Sequence, residues 1–418
     1  MFNDFDRTLD EYWRILFSTF WFVPGLISLI GPLLAFFCLQ LDNYFRPLHE
    51  VFIFEGGIAE AITILSTIAG SLITVAGLAF SITIVVLQLV SSQYTPRALR
   101  GFLQDRVTQV VAGGFFAIFA YSLIVLSTLR DATNYTSLPI LSITVAIVLG
   151  FLGLVFLLIF IHHIGYIIQV SDIAARLAEQ TFLAIERPYP GWNDETFREK
   201  GTARLIQSWQ TGEAPARILG ARAGFVQRIE LPHLVRSRIF AGLRLRLLVC
   251  PGDFVTEETV IAEIWPAQAA NAVRQTALRQ NIVIQRERDI MQDALFGVRQ
   301  LADIALRALS PAINDPTTGV LCIKYLQAIF EHLIYHLPLA SVYRFSGGSG
   351  SLEVRQPAFQ EYLEVFPEIA HYAGGNMRII DALLTALASI TEIATRLEKQ
   401  EYYDLLHTMI ATLAALRT

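Results

Sequence analysis

Apolar positions are distributed unevenly along the chain. Four stretches contain no Asp, Glu, Lys or Arg: Ile15–Leu41, Ala61–Pro96, Val107–Leu129 and Ala132–Ser171. Each exceeds the roughly 20 residues that a helix needs to cross about 30 Å of hydrocarbon. Four transmembrane helices are expected, over residues 22–41, 61–93, 107–129 and 138–169, within a transmembrane domain of residues 1–171. The first is the least regular, because Pro24-Gly25 and Gly31-Pro32 interrupt it and proline removes a helix hydrogen bond. Tyr12, Trp13, Phe20, Trp21 and Phe22 precede Pro24 as an aromatic belt of the headgroup region. A short interfacial helix followed by a crossing from Pro24 to Leu41 fits this pattern.

Beyond Ser171 the pattern changes. Asp172–Glu186 reads as a helix leaving the membrane, and Pro188-Tyr189-Pro190-Gly191-Trp192 breaks it, giving an exit helix and linker over residues 172–215. Period-two alternation in Phe225–Ile229 and Leu243–Leu247, with a short strand at Val260–Trp265, predicts a small β module over residues 216–266. The remainder, residues 267–418, is expected to be helical. Its helices are Ala267–Gln280, Ile284–Ser310, one capped by Asp315 with Pro316 first and running to His336, Asn376–Gln400 and Tyr402–Leu416. Gly347–Ser351 reads as a flexible loop. The fold class is thus an integral membrane α-helical part joined to a cytoplasmic α+β domain.

Composition agrees with the pattern. The 418 residues are 54% hydrophobic and 17% charged, with a mean hydropathy of +0.48 and a net charge of −5. Soluble domains average about 25% charged residues. A disordered chain, a nucleic-acid binder and an ordinary soluble enzyme are excluded. Residues 1–171 hold 7 basic and 10 acidic side chains; the other 25 and 27 follow. Arg7, Arg14, Arg97, Arg100 and Arg106 flank one side of the spans, against Arg46 and Arg130 on the other. Both termini are therefore expected in the cytoplasm of a bacterial inner membrane. The acidic N-terminus and the lack of a small-residue cleavage site argue against a secretory signal. Cys38, Cys250 and Cys322 form no CxxC pair, which excludes a disulfide scaffold or zinc ribbon.

Three segments carry a resemblance: Ser91-Ser92-Gln93-Tyr94-Thr95-Pro96-Arg97, Cys250-Pro251-Gly252-Asp253-Phe254-Val255, and Arg307-Ala308-Leu309-Ser310-Pro311-Ala312-Ile313-Asn314-Asp315-Pro316. Together they resemble a family of predicted bacterial membrane proteins catalogued as a domain of unknown function. The resemblance covers nearly the whole chain. It implies an inner-membrane protein with four helices and a cytoplasmic domain, and it brings no activity, substrate or catalytic residue. Separately, Leu247–Trp265 resembles the half-barrel turn of barrel-sandwich hybrid domains. Carriers of that kind hold a lysine at the hairpin tip, and no lysine lies between Lys200 and Lys324. A structural module without a carried cofactor is expected.

The second span holds the most specific pattern. Thr67, Ser71, Thr74, Leu78, Ser81, Val85, Gln88 and Ser92 recur by fours and threes, so they form one stripe of a helix, with Gly70 and Gly77 beside it. Hydroxyls on one stripe suit a pore lining; the competing reading is close packing between helices, which membrane proteins achieve with the same residues. Asp42, Glu50, Glu55 and Glu60 in the first outer connection, with Asp131 in the third, form either a cation-attracting rim or solvated loops. His162 and His163 are either interfacial anchors or a pH sensor. His332 and His336, four apart beside Glu331, supply too few ligands for a structural zinc site, and no metal site is assigned. Asp289, Asp293, Arg299, Asp303 and Arg307, followed by Asn314 and Asp315, form a charged ladder that reads either as intrahelical ion pairs into a capped turn or as a binding surface. No Walker A, GxSxG, HExxH or strand-linked GxGxxG pattern occurs, and no enzyme is expected.

The leading expectation is a homo-oligomeric ion channel, cation-conducting by preference, with the second span lining the pore and the cytoplasmic part assembling or gating it. The alternative is a non-conducting membrane-anchored scaffold or sensor whose cytoplasmic domain binds a partner. The expected partners are the lipid bilayer, further copies of the chain and inorganic ions, with no nucleic acid and no cofactor. A secondary transporter fits less well, since the spans carry no inverted repeat and no buried carboxylate.

Overall fold

The computed structural model describes residues 21–44, 54, 56–93, 105–130, 138–167, 169–186, 214–337, 342–346 and 350–415. The chain divides into two compact units, Met1–Asp172 and Ile173–Thr418.

The first unit contains α1 (Phe22–Ser28), α2 (Ile30–Tyr44), α3 (Ile58–Gln93), α4 (Arg106–Arg130) and α5 (Ile140–Ile167). Four segments are long and apolar enough to cross a membrane: Phe22–Asp42, Ile58–Gln88, Arg106–Leu129 and Ile140–Gly165. The first is broken at Leu29 between α1 and α2, where the proline and glycine pairs interrupt the helix ladder. α4 is the hub. It packs against α1, α2, α3 and α5, and it is the most buried of the four spans. Small residues permit that approach. A Cβ on Gly31 would overlap the carbonyl oxygen of Ala117, and one on Gly113 would lie 2.8 Å from Ile27 and 3.0 Å from Pro24. At one end of the bundle Ala35, Cys38, Ala61, Leu65, Tyr121, Val125 and Ile143 make a core, and the Tyr121 hydroxyl donates to the Ser142 carbonyl at 2.9 Å.

The second unit opens with α6 (Val170–Glu186), a separate helix that starts after α5 has ended at Ile167. Ile173, Ala174, Ala178, Thr181, Ala184 and Ile185 form its buried stripe. The β strands are β1 (Ala216–Leu219), β2 (Gly224–Ile229), β3 (Arg244–Leu247), β4 (Phe254–Val255), β5 (Val260–Trp265), β6 (Ile282–Gln285), β7 (Val342–Arg344) and β8 (Ser351–Val354). They form a five-stranded sheet, β1-β5-β3-β8-β7, and a three-stranded one, β4-β2-β6. Every described pairing is antiparallel except β3 with β8. The helices are α7 (Leu231–Arg236), α8 (Ala272–Gln280), α9 (Ala294–Ala308), α10 (Pro316–His336), α11 (Phe359–Leu363), α12 (Val365–Tyr372), α13 (Met377–Arg396) and α14 (Gln400–Ala414).

Two expectations for this unit are corrected. The stretch after residue 266 is not purely helical, because β6, β7 and β8 complete the sheets from downstream sequence. The helix expected from Ile284 starts at Ala294 instead, with Asp293 as its N-cap. Ile282 and Ile284 are buried with Val283 between them half-exposed, a two-residue period that serves a strand. The cap expected from sequence is present: Asp315 accepts from the Thr317 and Thr318 amides. Asn376 also caps its helix, accepting from the Arg378 amide.

Candidate functional site: the outward face of the second span

α3 is 36 residues long, about 54 Å at the helical rise, so it exceeds the thickness of a hydrocarbon core. Its two faces differ in chemistry. Ala61, Leu65, Ala69, Leu72, Ala76, Ala79, Thr83 and Val86 are buried, chiefly on α4, and recur by fours and threes. Thr67, Ser71, Thr74, Leu78, Ser81, Val85 and Gln88 are all exposed, on the opposite side. The face the chain uses for its own packing is therefore the alanine stripe, and the hydroxyl stripe takes no part in it. Ser92 lies on the same helix, and its side chain is outside the described residues.

Hydrogen bonding gives this outward face a polarity. Thr67 donates its hydroxyl to the Thr63 carbonyl at 2.7 Å, and Thr74 donates to Gly70 at 2.8 Å. Each threonine proton is thus consumed within the helix, and the oxygen lone pairs remain as acceptors. The side chains of Ser71, Ser81 and Gln88 make no hydrogen bond among the described residues. Gly70 and Gly77 lie on the same uncovered face, where an added Cβ would meet no atom within 4 Å.

The acidic positions separate. Glu60 lies exposed in the first turn of α3, where a carboxylate complements the helix dipole. Asp42 is not a free rim group. Its oxygens accept from the Leu141 and Ser142 amides at 2.9 Å each and from the Ser142 hydroxyl at 2.6 Å, so it caps α5 and ties the first span to the fourth. The sequence offered no signal for this, because the partners lie 100 residues apart. Glu50, Glu55 and Asp131 are outside the described residues.

The histidines also find local work. His163 Nε2 lies 2.9 Å from Asp105, and Asp105 in turn accepts from the Thr108 amide and hydroxyl at the start of α4. His162 is exposed. His332 stacks edge-on to Phe182 and lies 3.3 Å from Glu186, both on α6; burial and the neighbouring His336 hold its pKa below the usual histidine value. Among the described residues no three His, Cys, Asp or Glu side chains are placed to hold a metal.

The charged ladder is a joint between helices. Arg299 pairs with Asp303 at 3.3 Å and with Glu368 at 2.7 Å, linking α9 to α12. Arg307 ends α9. Asn314 takes the left-handed conformation at φ 47°, and the Asp315 carboxyl then receives the Thr318 hydroxyl at 2.6 Å, the main reason its pKa is depressed. This geometry favours the capped-turn reading.

One buried network was not anticipated. Gly252, at φ +98°, packs so closely on Asp293 and Arg288 that a Cβ would overlap the Asp293 carboxylate. Next to it, Asp253 accepts from the Cys250 amide at 2.8 Å and from Arg355 at 2.7 Å. Asp293 is 3% exposed, caps α9 and pairs with Arg288 at 2.7 Å. Burial raises the Asp293 carboxyl and pushes the Cys250 thiol up to about 12, so the thiol is unreactive near neutrality. The turn residues Pro251-Gly252-Asp253 were legible as a turn, but their charge partners were not.

A family model described as predicted membrane protein (DUF2254) matches residues 18–389, which spans both units. Uncharacterized proteins of Mycobacterium bovis and of two strains of Mycobacterium tuberculosis are 30% identical over 356 residues. The match takes in 82% of this chain and 66% of theirs, so the chain spans slightly under two thirds of those relatives' length. No solved structure matches the chain. With four membrane-crossing segments preceding a mixed unit of small sheets and helices, the chain belongs to the DUF2254 family of predicted membrane proteins.

Proposed function

We propose that the protein is a homo-oligomeric ion channel of the bacterial inner membrane, with α3 of each copy lining a path that favours cations. The observation that carries this reading is the exposure of Thr67, Ser71, Thr74, Ser81 and Gln88 on the side of α3 turned away from its own bundle. Facing lipid, such a stripe would leave the Gln88 amide without a partner and the Ser71 and Ser81 hydroxyls with only their own helix carbonyls to bond. Facing water around a symmetry axis, the same groups are solvated. A single four-helix chain cannot enclose a path, so closed cyclic assembly supplies the wall. Gly70 and Gly77 allow a neighbouring copy to approach closely.

Selectivity for cations follows from the threonines. Their protons are held by backbone carbonyls, so they present oxygen and no donor to a passing ion. Glu60 adds negative charge at one mouth. The arginine distribution supports cytoplasmic termini and a cytoplasmic C-terminal unit that assembles or gates the channel.

The second reading, a non-conducting scaffold or sensor, is favoured by an open cleft in the C-terminal unit edged by Gln356, Phe359, Tyr402 and Asp404. Reconstitution into liposomes decides between them. Cation flux is expected from the parent and is expected to vanish in Ser81→Leu, with cross-linked oligomers retained. A parent that carries no flux under any pH or voltage, or a Ser81→Leu variant that conducts like the parent, overturns the assignment of α3 as the pore.

A further inference from the structure

The C-terminal unit carries a basic edge in an otherwise acidic chain. Residues 214–290 hold eleven arginines, no lysine and seven acidic residues, while the whole chain has a net charge of −5. From Leu231 to Gly252 no Asp or Glu occurs. Within that run α7 ends at Arg236, and a 3-10 turn, Arg238–Phe240, leads into β3 at Arg244. Successive backbone bonds close this connection tightly, from Phe240 to Ser237, Ala241 to Arg238 and Leu243 to Phe240. Arg238 and Arg244 therefore stand exposed at the two ends of one tightly closed connection.

Two further arginines come from distant sequence. Arg274 on α8 donates to the Ile239 carbonyl at 3.0 Å and to the Ala269 carbonyl at 2.8 Å. Carbonyls orient that guanidinium without cancelling its charge. Arg344 on β7 and Arg244 on β3 both pair in register with Ser351 of the intervening β8, which places two exposed arginines two strands apart. Among the described residues Arg238, Arg244 and Arg274 take part in no ion pair. Nearby carboxylates are committed elsewhere, Glu230 to Arg228, and Glu263 and Glu353 to Arg246.

Two aliphatic side chains stand among these charges. Ile239 is 41% exposed and Val273 is 65% exposed, and the Arg274 bond to the Ile239 carbonyl brings their segments together. Guanidinium groups pair bidentately with phosphate, and an aliphatic residue between them gains by entering the headgroup and acyl boundary. A nucleic acid would use the arginines but offer the aliphatic residues nothing. We propose that this edge docks on anionic phospholipid headgroups, a role separate from conduction through α3.

The test uses the full chain in nanodiscs of phosphatidylcholine alone or with phosphatidylglycerol, read by amide hydrogen exchange. Exchange across residues 236–244 is expected to slow about tenfold or more in the anionic discs, and to recover at about 1 M salt, where the Debye length is about 3 Å. Arg238→Glu with Arg244→Glu is expected to abolish the slowing, while the Lys pair at the same positions preserves most of it. Unchanged exchange along β5 in both variants establishes that the sheet remains folded. Equal exchange in the two bilayers, or slowing that survives the Glu pair, overturns the proposal. So does slowing produced by an added oligonucleotide in phosphatidylcholine discs and not by phosphatidylglycerol.

Discussion

The second and fourth spans both qualify as membrane-crossing by hydropathy, yet the surface α3 leaves uncovered mixes hydroxyls and an amide with aliphatics, whereas that of α5 is almost wholly apolar. On α5 the exposed positions include Phe151, Leu154, Val155, Leu158 and Ile161, and each is as apolar as a lipid tail. On α3 the exposed positions include Thr67, Ser71, Thr74, Ser81 and Gln88. Mean hydropathy hides the contrast, because Ile73, Leu78, Ile84 and Val85 stand exposed among the hydroxyls of α3 and keep its average high. The lesson is that a span's average fits it to a membrane, whereas the residues it leaves unburied report what it must meet there. For α5 that is lipid. For α3, on the proposed assignment, it is water, ions or another protein surface.

Charge placement breaks or sharpens this comparison with the largest effect. Leu154→Lys puts an ammonium on the lipid face, at a cost of about 2.5–3.5 kcal/mol near a span's centre, and is expected to collapse the yield of membrane-inserted protein. Thr74→Lys on the opposing stripe is expected to insert at close to the parental level and to eliminate cation flux. Fractionation of membranes and a flux assay read both. Equal losses of insertion would put Thr74 against lipid and remove the contrast between the two helices.

Glycines provide the intermediate test. Gly31→Ala drives a methyl group into the Ala117 carbonyl, so overpacking of at least 1–3 kcal/mol is expected as a lowered midpoint of unfolding in detergent. Gly77→Ala meets nothing within the chain and gains up to about 1 kcal/mol of helix propensity. Its expected cost is confined to association between copies, read as weaker cross-linking. A Gly77→Ala chain as unstable as Gly31→Ala would mean that the outward face of α3 is packed within the chain.

The smallest effect lies outside the spans and concerns pH. No member of the Thr67–Gln88 stripe is ionisable, whereas His332 beside α6 carries an imidazole whose proton affinity the fold lowers. Burial holds the folded His332 pKa below the ordinary 6.5, so the unfolded chain takes up the proton first as pH falls. Stability contributed by neutral His332 is fully present above pH 6.5 and is lost as pH falls through that value toward the lower folded pKa. Denaturation midpoints between pH 7.5 and about 5 should slope accordingly, and His332→Gln should flatten part of that slope. An unchanged slope would remove His332 as its source.

Legibility differed by the range of the interaction. Asp315 as N-cap and Pro316 as first helical residue depend on neighbours within a turn, and both were readable. The Thr67–Gln88 stripe was readable as one helix face for the same reason. Residues 282–285 misled because the short apolar run Ile282-Val283-Ile284 suits a helix or a strand, and only pairing with β2 made it a strand. Asp42 misled differently. A carboxylate after a span reads as a solvated rim until its partners at Leu141 and Ser142 are known.

By itself the sequence determined that this is a predicted membrane protein with four apolar spans followed by a more highly charged C-terminal unit, because the length of a charge-free run and the spacing of side chains around a helix are local quantities. Only the tertiary structure decided which face of α3 is covered. That outcome depends on Gly31 and Gly113 letting the first span close on α4, and on the alanine stripe of α3 fitting beside it. Shape complementarity between distant segments sets burial, and burial leaves Thr67, Ser71, Thr74, Ser81 and Gln88 facing outward.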